Sequence, residues 1–131
     1  MKGIDKAFIR ATLDELRIPT RIDDDGDIVI VQTADEEFSH DVVIFLIVNN
    51  NRLSYAAGSP SYEPKGDLLE LANRHNCTHN MPMAVVRDGQ LRLEYSFLLD
   101  EEVSKEYIIE NCIKMALGSI WRAYVDFATE S

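Results

Sequence analysis

The stretch MPMAVVRDGQLRLEYSFLL, residues 81–99, decides the fold class of this chain. At its centre stands Asp88-Gly89, a dipeptide typical of the two-residue turn of a β-hairpin. After the turn, apolar residues alternate with other residues through 91–97. Such alternation is typical of a strand with one buried face. The stretch therefore predicts two neighbouring antiparallel strands.

Further strands lie upstream of this hairpin. The pair Asp25-Gly26 predicts another tight turn, and a β-branched strand follows at 28–31. The segment DVVIFLIVN, residues 41–49, is the most apolar strand, and we predict that it is central with both faces covered. An Asn-rich turn then leads into a shorter strand at 53–58.

Three helices complete the pattern. Apolar spacing predicts the first over 3–17, and Pro19 prevents its continuation. The second is predicted over 64–76, with Pro64 in its first turn. The third begins near Ser104, whose hydroxyl can cap the free amides of a first helical turn.

The elements follow in the order α-β-β-β-β-α-β-β-α within a single domain, residues 1–131. That length is enough to bury a core without disulfides or metal ions. Because the hairpins require antiparallel pairing, we predict an α+β fold in which helices cover an antiparallel sheet.

The third helix carries a broad apolar stripe that we expect to face the core. Its members are Ile109, Cys112, Ile113, Ala116, Ile120, Ala123, Tyr124 and Phe127. Beside this stripe lie Met115, Trp121 and Val125, which we predict to bind a protein partner or a second copy of the chain in a homodimer. A wide core face against the sheet would explain the same residues.

The charge balance excludes several classes of partner. The formal net charge is −10, from 23 acidic and 13 basic residues. Such a surface repels phosphate backbones and anionic lipids, so we expect neither nucleic acid nor membrane as partner. A protein that mimics DNA to occupy a DNA-binding protein would also be acidic. With no secretory signal visible and no apolar run long enough to span a bilayer, we expect a cytoplasmic protein.

One cluster indicates metal chemistry. His75, Cys77 and His79 are spaced two residues apart, and on a strand they would point in one direction. Zinc accepts such ligands, which makes a small metal-binding protein or metal-dependent enzyme the alternative function. However, His75 falls on the apolar face of the second helix, so the three would not share one strand. The other interpretation is the end of a helix followed by a loop.

Motifs of catalysis are missing elsewhere. The acidic stretch DDDGD lacks the Gly and Glu positions of a calcium loop, and no phosphate loop or nucleophile elbow occurs. We therefore predict a protein without enzymatic activity, catalytic residues or cofactors.

The C-terminal half resembles the YbjN family, best over residues 68–117. A helix with the Asn73 and Asn76 pair is followed by the Asp-Gly hairpin, and the pair Val103-Ser104 opens the last helix. That resemblance implies Asn73 and Asn76 as the residues that end the second helix, and asparagine accepts the left-handed backbone of helix ends.

The resemblance further implies a fold like that of type III secretion chaperones, which often form dimers. The family is described as bacterial sensory-transduction regulators, and no catalytic residue comes with it. We therefore expect a non-enzymatic, protein-binding regulatory module, chaperone- or adaptor-like in its action.

Overall fold

The computed structural model of the protein describes residues 5–49, 51–99 and 103–130. These residues contain six strands: β1 (Arg21–Ile22), β2 (Ile28–Gln32), β3 (Val42–Asn49), β4 (Arg52–Gly58), β5 (Met83–Arg87) and β6 (Gln90–Leu98). They also contain the helices α1 (Lys6–Glu15), α2 (Leu68–Thr78) and α3, which covers 105–130.

The strands form one antiparallel sheet in the order β1-β2-β3-β4-β6-β5. The predicted α+β class and element order are thus confirmed. Successive side chains of a strand point to opposite faces of the sheet. The row Ile44, Ala57 and Leu93 lies on what we call the inner face, and the neighbouring pair Phe45 and Ala56 lies on the outer face.

The turns follow the predicted chemistry. Asp88 and Gly89 have φ values of 54° and 72°, the left-handed region that a two-residue hairpin turn requires. Gly26 has a φ of 83°, and Asn51 has a φ of 63° in the Asn-rich turn. Asn50 lies outside the described residues. Local turn chemistry therefore sets the strand boundaries at three places.

β3 is buried on its inner face only. Ile44 and Leu46 are fully buried, whereas Phe45 is partly exposed and Ile47 is 39% exposed. The prediction that both faces of this strand are covered was wrong. The described helices share one core with the inner-face residues, so the apolar run reflects an outer face that is itself apolar.

Two tyrosine hydroxyls fasten α3 to the inner face. Tyr55 of β4 donates to the carbonyl oxygen of Cys112. Tyr124 donates to the carbonyl oxygen of Leu91 at 2.9 Å. Both tyrosines are at most 1% exposed, and burial raises the pKa of each hydroxyl far above its ordinary value. The contacts fix the helix against β4 and β6.

The start of α3 departs from the predicted stripe. Its middle part, Ile108–Lys114, is π-helical and lies between α-helical segments Lys105–Tyr107 and Met115–Glu130. In a π-helix hydrogen bonds join residues five apart, and accordingly Ile108 and Ile113 are both fully buried. Ile109 is only partly buried, so its predicted place in the core stripe was wrong. The other predicted members of the stripe are buried.

The first helix begins and ends through its own polar groups. The carboxylate of Asp5 accepts a hydrogen bond from the amide of Phe8 at 2.9 Å and caps α1. At the other end Arg17 adopts a φ of 60°, and its amide bonds to the carbonyl of Asp14. The helix is therefore shorter than predicted, and residues 3 and 4 of the prediction lie outside the described residues.

The second helix begins later than its proline suggests. Asp67 is the cap, because its carboxylate accepts a hydrogen bond from the amide of Glu70. Pro64 therefore precedes the helix, and its predicted place in the first turn was wrong. Asp67 accepts from two amides of α2, through its carboxylate from Glu70 and through its backbone carbonyl from Leu71, and so defines the helix start.

Candidate protein-binding face

The outer face of the sheet contains a shallow trough along β4. Ser54, Ala56 and Gly58 point outward in succession, and all three side chains are small. On one side stand the larger apolar residues of β3, including Phe45, which is paired with Ala56. On the other side stand longer polar residues of β6, including Glu94. We call this depression the β4 trough.

Two adjoining cavities make up the trough. One has a volume of about 400 Å³ and is lined by Val43, Phe45, Ala56, Ala57, Gly58, Pro60, Arg87, Gln90, Arg92, Leu93 and Glu94. The other has a volume of about 260 Å³, and both share Ala56 and Glu94. The trough is therefore continuous along β4, over about 13 Å at the usual rise of a strand.

Exposed apolar side chains surround the trough. On the outer face Val31 is 44% exposed, Met83 is 43% exposed and Leu98 is 69% exposed, in addition to Ile47. Single exposed apolar residues are normal, but a group on one sheet face is typical of an interaction surface. Val29, on the same face, is buried.

Charged side chains border the trough on the side of β5 and β6. Arg87 contacts Glu94 at 3.2 Å, and Arg92 contacts Asp88 at 3.6 Å. At the opposite end Arg52 donates to the hydroxyl of Ser96 at 3.1 Å. The trough thus combines an apolar floor with a polar border, as protein interfaces commonly do.

α2 closes the edge strand β5 with its side chains. The amide of Asn76 accepts from the backbone N–H of Ala84 at 2.8 Å and donates to the carbonyl of the same residue at 2.9 Å. The Nε2 atom of His75 lies 2.7 Å from the carbonyl oxygen of Pro82. Side chains of the helix therefore occupy backbone groups that another strand would otherwise pair with.

These contacts correct the predicted role of Asn76. The helix continues past it to Thr78, and His79, the residue after the helix, has an extended backbone with a φ of −133°. Asn76 therefore does not end α2 by adopting a left-handed conformation. Asn73 lies within the helix and is exposed.

The structure separates the predicted metal ligands. His75 is buried, and its ring stacks on that of His79 with centroids 4.4 Å apart. Cys77 is exposed on the helix, and residues two apart on a helix point in different directions. Over the described ranges, no group of three or more histidine, cysteine, aspartate or glutamate residues is placed to hold a metal ion. The histidine rings converge, but the thiol does not join them.

The predicted partner residues of α3 differ in accessibility. Met115 is 53% exposed, whereas Val125 is only 8% exposed and belongs to the core. Trp121 is partly exposed, and its ring lies edge-to-face on Phe38 at 5.6 Å. Their role in binding stays a prediction.

A family model covers most of the chain. Residues 5–116 match the model of YbjN, whose description is "Putative bacterial sensory transduction regulator". The chain belongs to the YbjN family. The match includes all six strands of this YbjN protein and therefore its whole outer face, but it ends before Trp121 and Val125.

One further comparison and one structural observation concern this YbjN chain. No curated protein matches it. In the part of the chain that the structure describes, no helix is both long and apolar enough to cross a membrane.

Sequence reasoning did not identify the β4 trough. The signal was present as SYAAG, residues 54–58, in which every second residue is small. It was not interpretable alone, because the width of the trough depends on Phe45 and Glu94, which come from two other strands. YbjN membership agrees with the predicted resemblance, whereas the likeness to secretion chaperones and the formation of dimers stay predictions.

Proposed function

We propose that this YbjN protein is a non-enzymatic regulatory module that binds another protein on the outer face of its sheet. The observation that carries the proposal is the β4 trough, an apolar depression on a sheet whose described helices share a core with the other face. The family description as a regulator of sensory transduction supports a role exerted through a partner.

The edges of the sheet support face-on rather than edge-on binding. At one edge β1 has only two residues, which offers few backbone groups to an added strand. At the other edge the side chain of Asn76 occupies backbone groups of Ala84 in β5, and that of His75 contacts the carbonyl of Pro82 just before the strand. A partner therefore gains more from side-chain contacts in the trough than from strand addition. The partner is a client protein if the module acts as a chaperone, or a component of a regulatory complex if the module acts as an adaptor.

The β4 trough is large enough to hold a peptide segment. The trough is two strand spacings wide, about 10 Å, and about 13 Å long. These dimensions fit one segment of a polypeptide, either extended or helical. The net charge of −10 supports a protein as partner rather than nucleic acid or an anionic membrane, and we place the module in the cytoplasm.

Site-specific photo-cross-linking tests this function. p-Benzoylphenylalanine replaces Phe45 in the trough, Met115 on α3, or Leu69, which is 65% exposed on α2. We expect one discrete adduct from position 45 in extracts of the source cells, absent from position 69. The second change Ala56→Phe fills the trough and should abolish that adduct, while circular dichroism verifies the fold.

Two results would reject the outer face. An adduct at position 45 that persists after Ala56→Phe would show that the trough is not occupied. A discrete adduct from position 115 alone would show that the partner binds on α3, where Met115, Trp121 and Val125 were predicted to bind.

A further inference from the structure

We infer that the outer face binds an acidic, amphipathic segment of the partner protein, and this inference rests on the proposed function. Its basis is a charge asymmetry that the overall composition conceals. Arg21, Arg52, Arg87 and Arg92 point to the outer face, and Glu94 is the one acidic residue among its described strand positions. Four positive charges and one negative charge give this face a formal charge of +3, in a chain of −10.

The asymmetry is larger than composition alone would give. The face takes four of the 13 basic residues but one of the 23 acidic residues. It stays positive even when Asp88, which approaches Arg92 from the neighbouring turn, is included. A partner is steered to a surface of opposite sign. The face therefore favours carboxylates, although the protein as a whole is acidic.

The positions of the arginines define where those carboxylates lie. Arg87 and Arg92 line the trough itself, whereas Arg52 stands near its opposite end, on β4 next to the turn between β3 and β4. The floor between them is formed by Phe45, Ala56 and their neighbours. A matching segment has apolar side chains on the side that faces the floor and carboxylates toward its ends. This pattern is that of an amphipathic acidic peptide.

The arginines are available for exchange of partners. The side chain of Arg87 is 58% exposed in its contact with Glu94, and that of Arg92 is 37% exposed in its contact with Asp88. Exposed ion pairs contribute little to stability, so a partner carboxylate can replace the internal one at low cost. A guanidinium also presents a planar fork that binds a carboxylate with two hydrogen bonds.

The same charges disfavour a second copy on this face. A symmetric dimer places the same surface of each chain against the other. Two outer faces of +3 would then oppose each other, which costs free energy. Anionic lipid and nucleic acid share the negative charge of the inferred partner, but the acidic remainder of the chain opposes an extended charged surface more than it opposes a short segment.

The test uses the full chain and synthetic peptides labelled with fluorescein. One peptide is an amphipathic helix former with leucine on one side and glutamate on the other. The second has lysine in place of every glutamate, and the third has the acidic composition in a scrambled order. Fluorescence anisotropy should show binding of the first peptide only, with an affinity that falls as the salt concentration rises.

A matched pair of variants locates the binding. Arg87 and Arg122 have side chains 58% and 59% exposed, and each contacts one glutamate, at 3.2 Å and 3.5 Å. Arg122 lies on α3, away from the trough. We expect Arg87→Ser to weaken binding of the acidic peptide about three- to fivefold, the usual effect of one exposed charge pair, and Arg122→Ser to leave it unchanged. Ala56→Phe should abolish it.

Each contrary outcome has a distinct meaning. Equal weakening by both serine variants, or stronger binding of the lysine peptide, would overturn the acidic partner. A different result is that the face binds vesicles with 30% phosphatidylserine or duplex DNA in an arginine-dependent way but not the acidic peptide. That result would show that its ligand is the lipid or the DNA rather than a protein segment. If no peptide binds but the adduct at Phe45 still depends on Ala56, the chemistry is wrong and the proposed function stands.

Discussion

The side-chain amide of Asn76 forms two hydrogen bonds with the backbone of a single residue, Ala84. Its oxygen accepts from the Ala84 N–H at 2.8 Å, and its nitrogen donates to the Ala84 carbonyl at 2.9 Å. The amide group has the donor and acceptor of a peptide unit, so a helix residue here takes the place of a neighbouring strand. This contact joins α2 to the sheet and occupies the backbone groups that Ala84 would otherwise offer to another strand.

Asn76→Ala should destabilise the protein by about 1–3 kcal/mol, because both backbone groups of Ala84 lose their partner. Urea unfolding followed by circular dichroism measures this change. Asn73→Ala is the control, since Asn73 lies on the same helix and is exposed like Asn76, whereas the contact with Ala84 belongs to Asn76, and we expect less than about 0.5 kcal/mol there. Hydrogen exchange of the Ala84 amide should accelerate only in the first variant. Equal effects of the two substitutions would show that the contact with Ala84 contributes nothing.

What could be predicted from the sequence was decided by local chemistry. The turn at Asp88-Gly89 follows from the left-handed backbone that both residues adopt, and neighbours along the chain suffice to predict it. The role of Asn76 does not follow from its neighbours along the chain, because its partner belongs to the next strand rather than to its own helix. A residue that accepts a left-handed conformation is equally able to bridge two elements. Sequence alone gives no means of choosing between these roles.

The apolar run of β3 shows the same limit at the candidate site. Apolar residues on both faces predict burial on both faces, unless one face is itself a binding surface. Ile44 and Phe45 are adjacent and similarly hydrophobic, yet only the first is fully buried. The distinction requires the position of the helices, which depends on contacts such as that of Tyr55 with Cys112.

These adjacent residues of β3 give the next prediction. Ile44→Ala should lower the free energy of unfolding by about 2–5 kcal/mol, because it opens a cavity in the core. Phe45→Ala should cost about 1 kcal/mol, since its ring is already in contact with solvent. The peptide measurements should show the opposite order, with binding lost for Phe45→Ala. A large loss of stability from Phe45→Ala would mean that the outer face is part of the core.

The buried tyrosines make stability depend on alkaline pH. Burial raises the pKa of Tyr55 and of Tyr124, so in the folded state both keep their protons well above pH 10. In the unfolded chain they ionise near pH 10. Their contribution is therefore fully present below about pH 10 and is lost as the pH rises further, by about 1.4 kcal/mol per pH unit for each tyrosine.

Urea unfolding between pH 9 and 11 measures this dependence, and Tyr124→Phe should reduce its slope. The same variant should lose about 1–2 kcal/mol at pH 7, because the carbonyl of Leu91 loses its donor at 2.9 Å. Tyr107, whose side chain is exposed, provides the control as Tyr107→Phe. An unchanged slope in Tyr124→Phe would show that its hydroxyl ionises freely in the folded protein.

The two cysteines should differ in reactivity. Cys77 is exposed, whereas Cys112 is fully buried and burial raises the pKa of its thiol. We expect one rapidly modified thiol with Ellman's reagent in the native protein and two in urea. Because Cys77 does not converge with the stacked rings of His75 and His79, equimolar zinc should leave its modification rate unchanged. Protection of Cys77 by zinc that is lost in His79→Ala would restore the metal-binding alternative.

Trp121 reports which surface a partner occupies. Its ring lies edge-to-face on Phe38 and is partly exposed on α3, whose core residues pack against the inner face. Binding in the β4 trough should therefore leave the emission maximum of Trp121 unchanged, while the anisotropy of the labelled acidic peptide rises. A partner that docks on α3 beside Met115 should shift that maximum instead. A shift that persists in Ala56→Phe would assign the contact to α3, whereas an unshifted spectrum together with loss of binding in Ala56→Phe would assign it to the outer face.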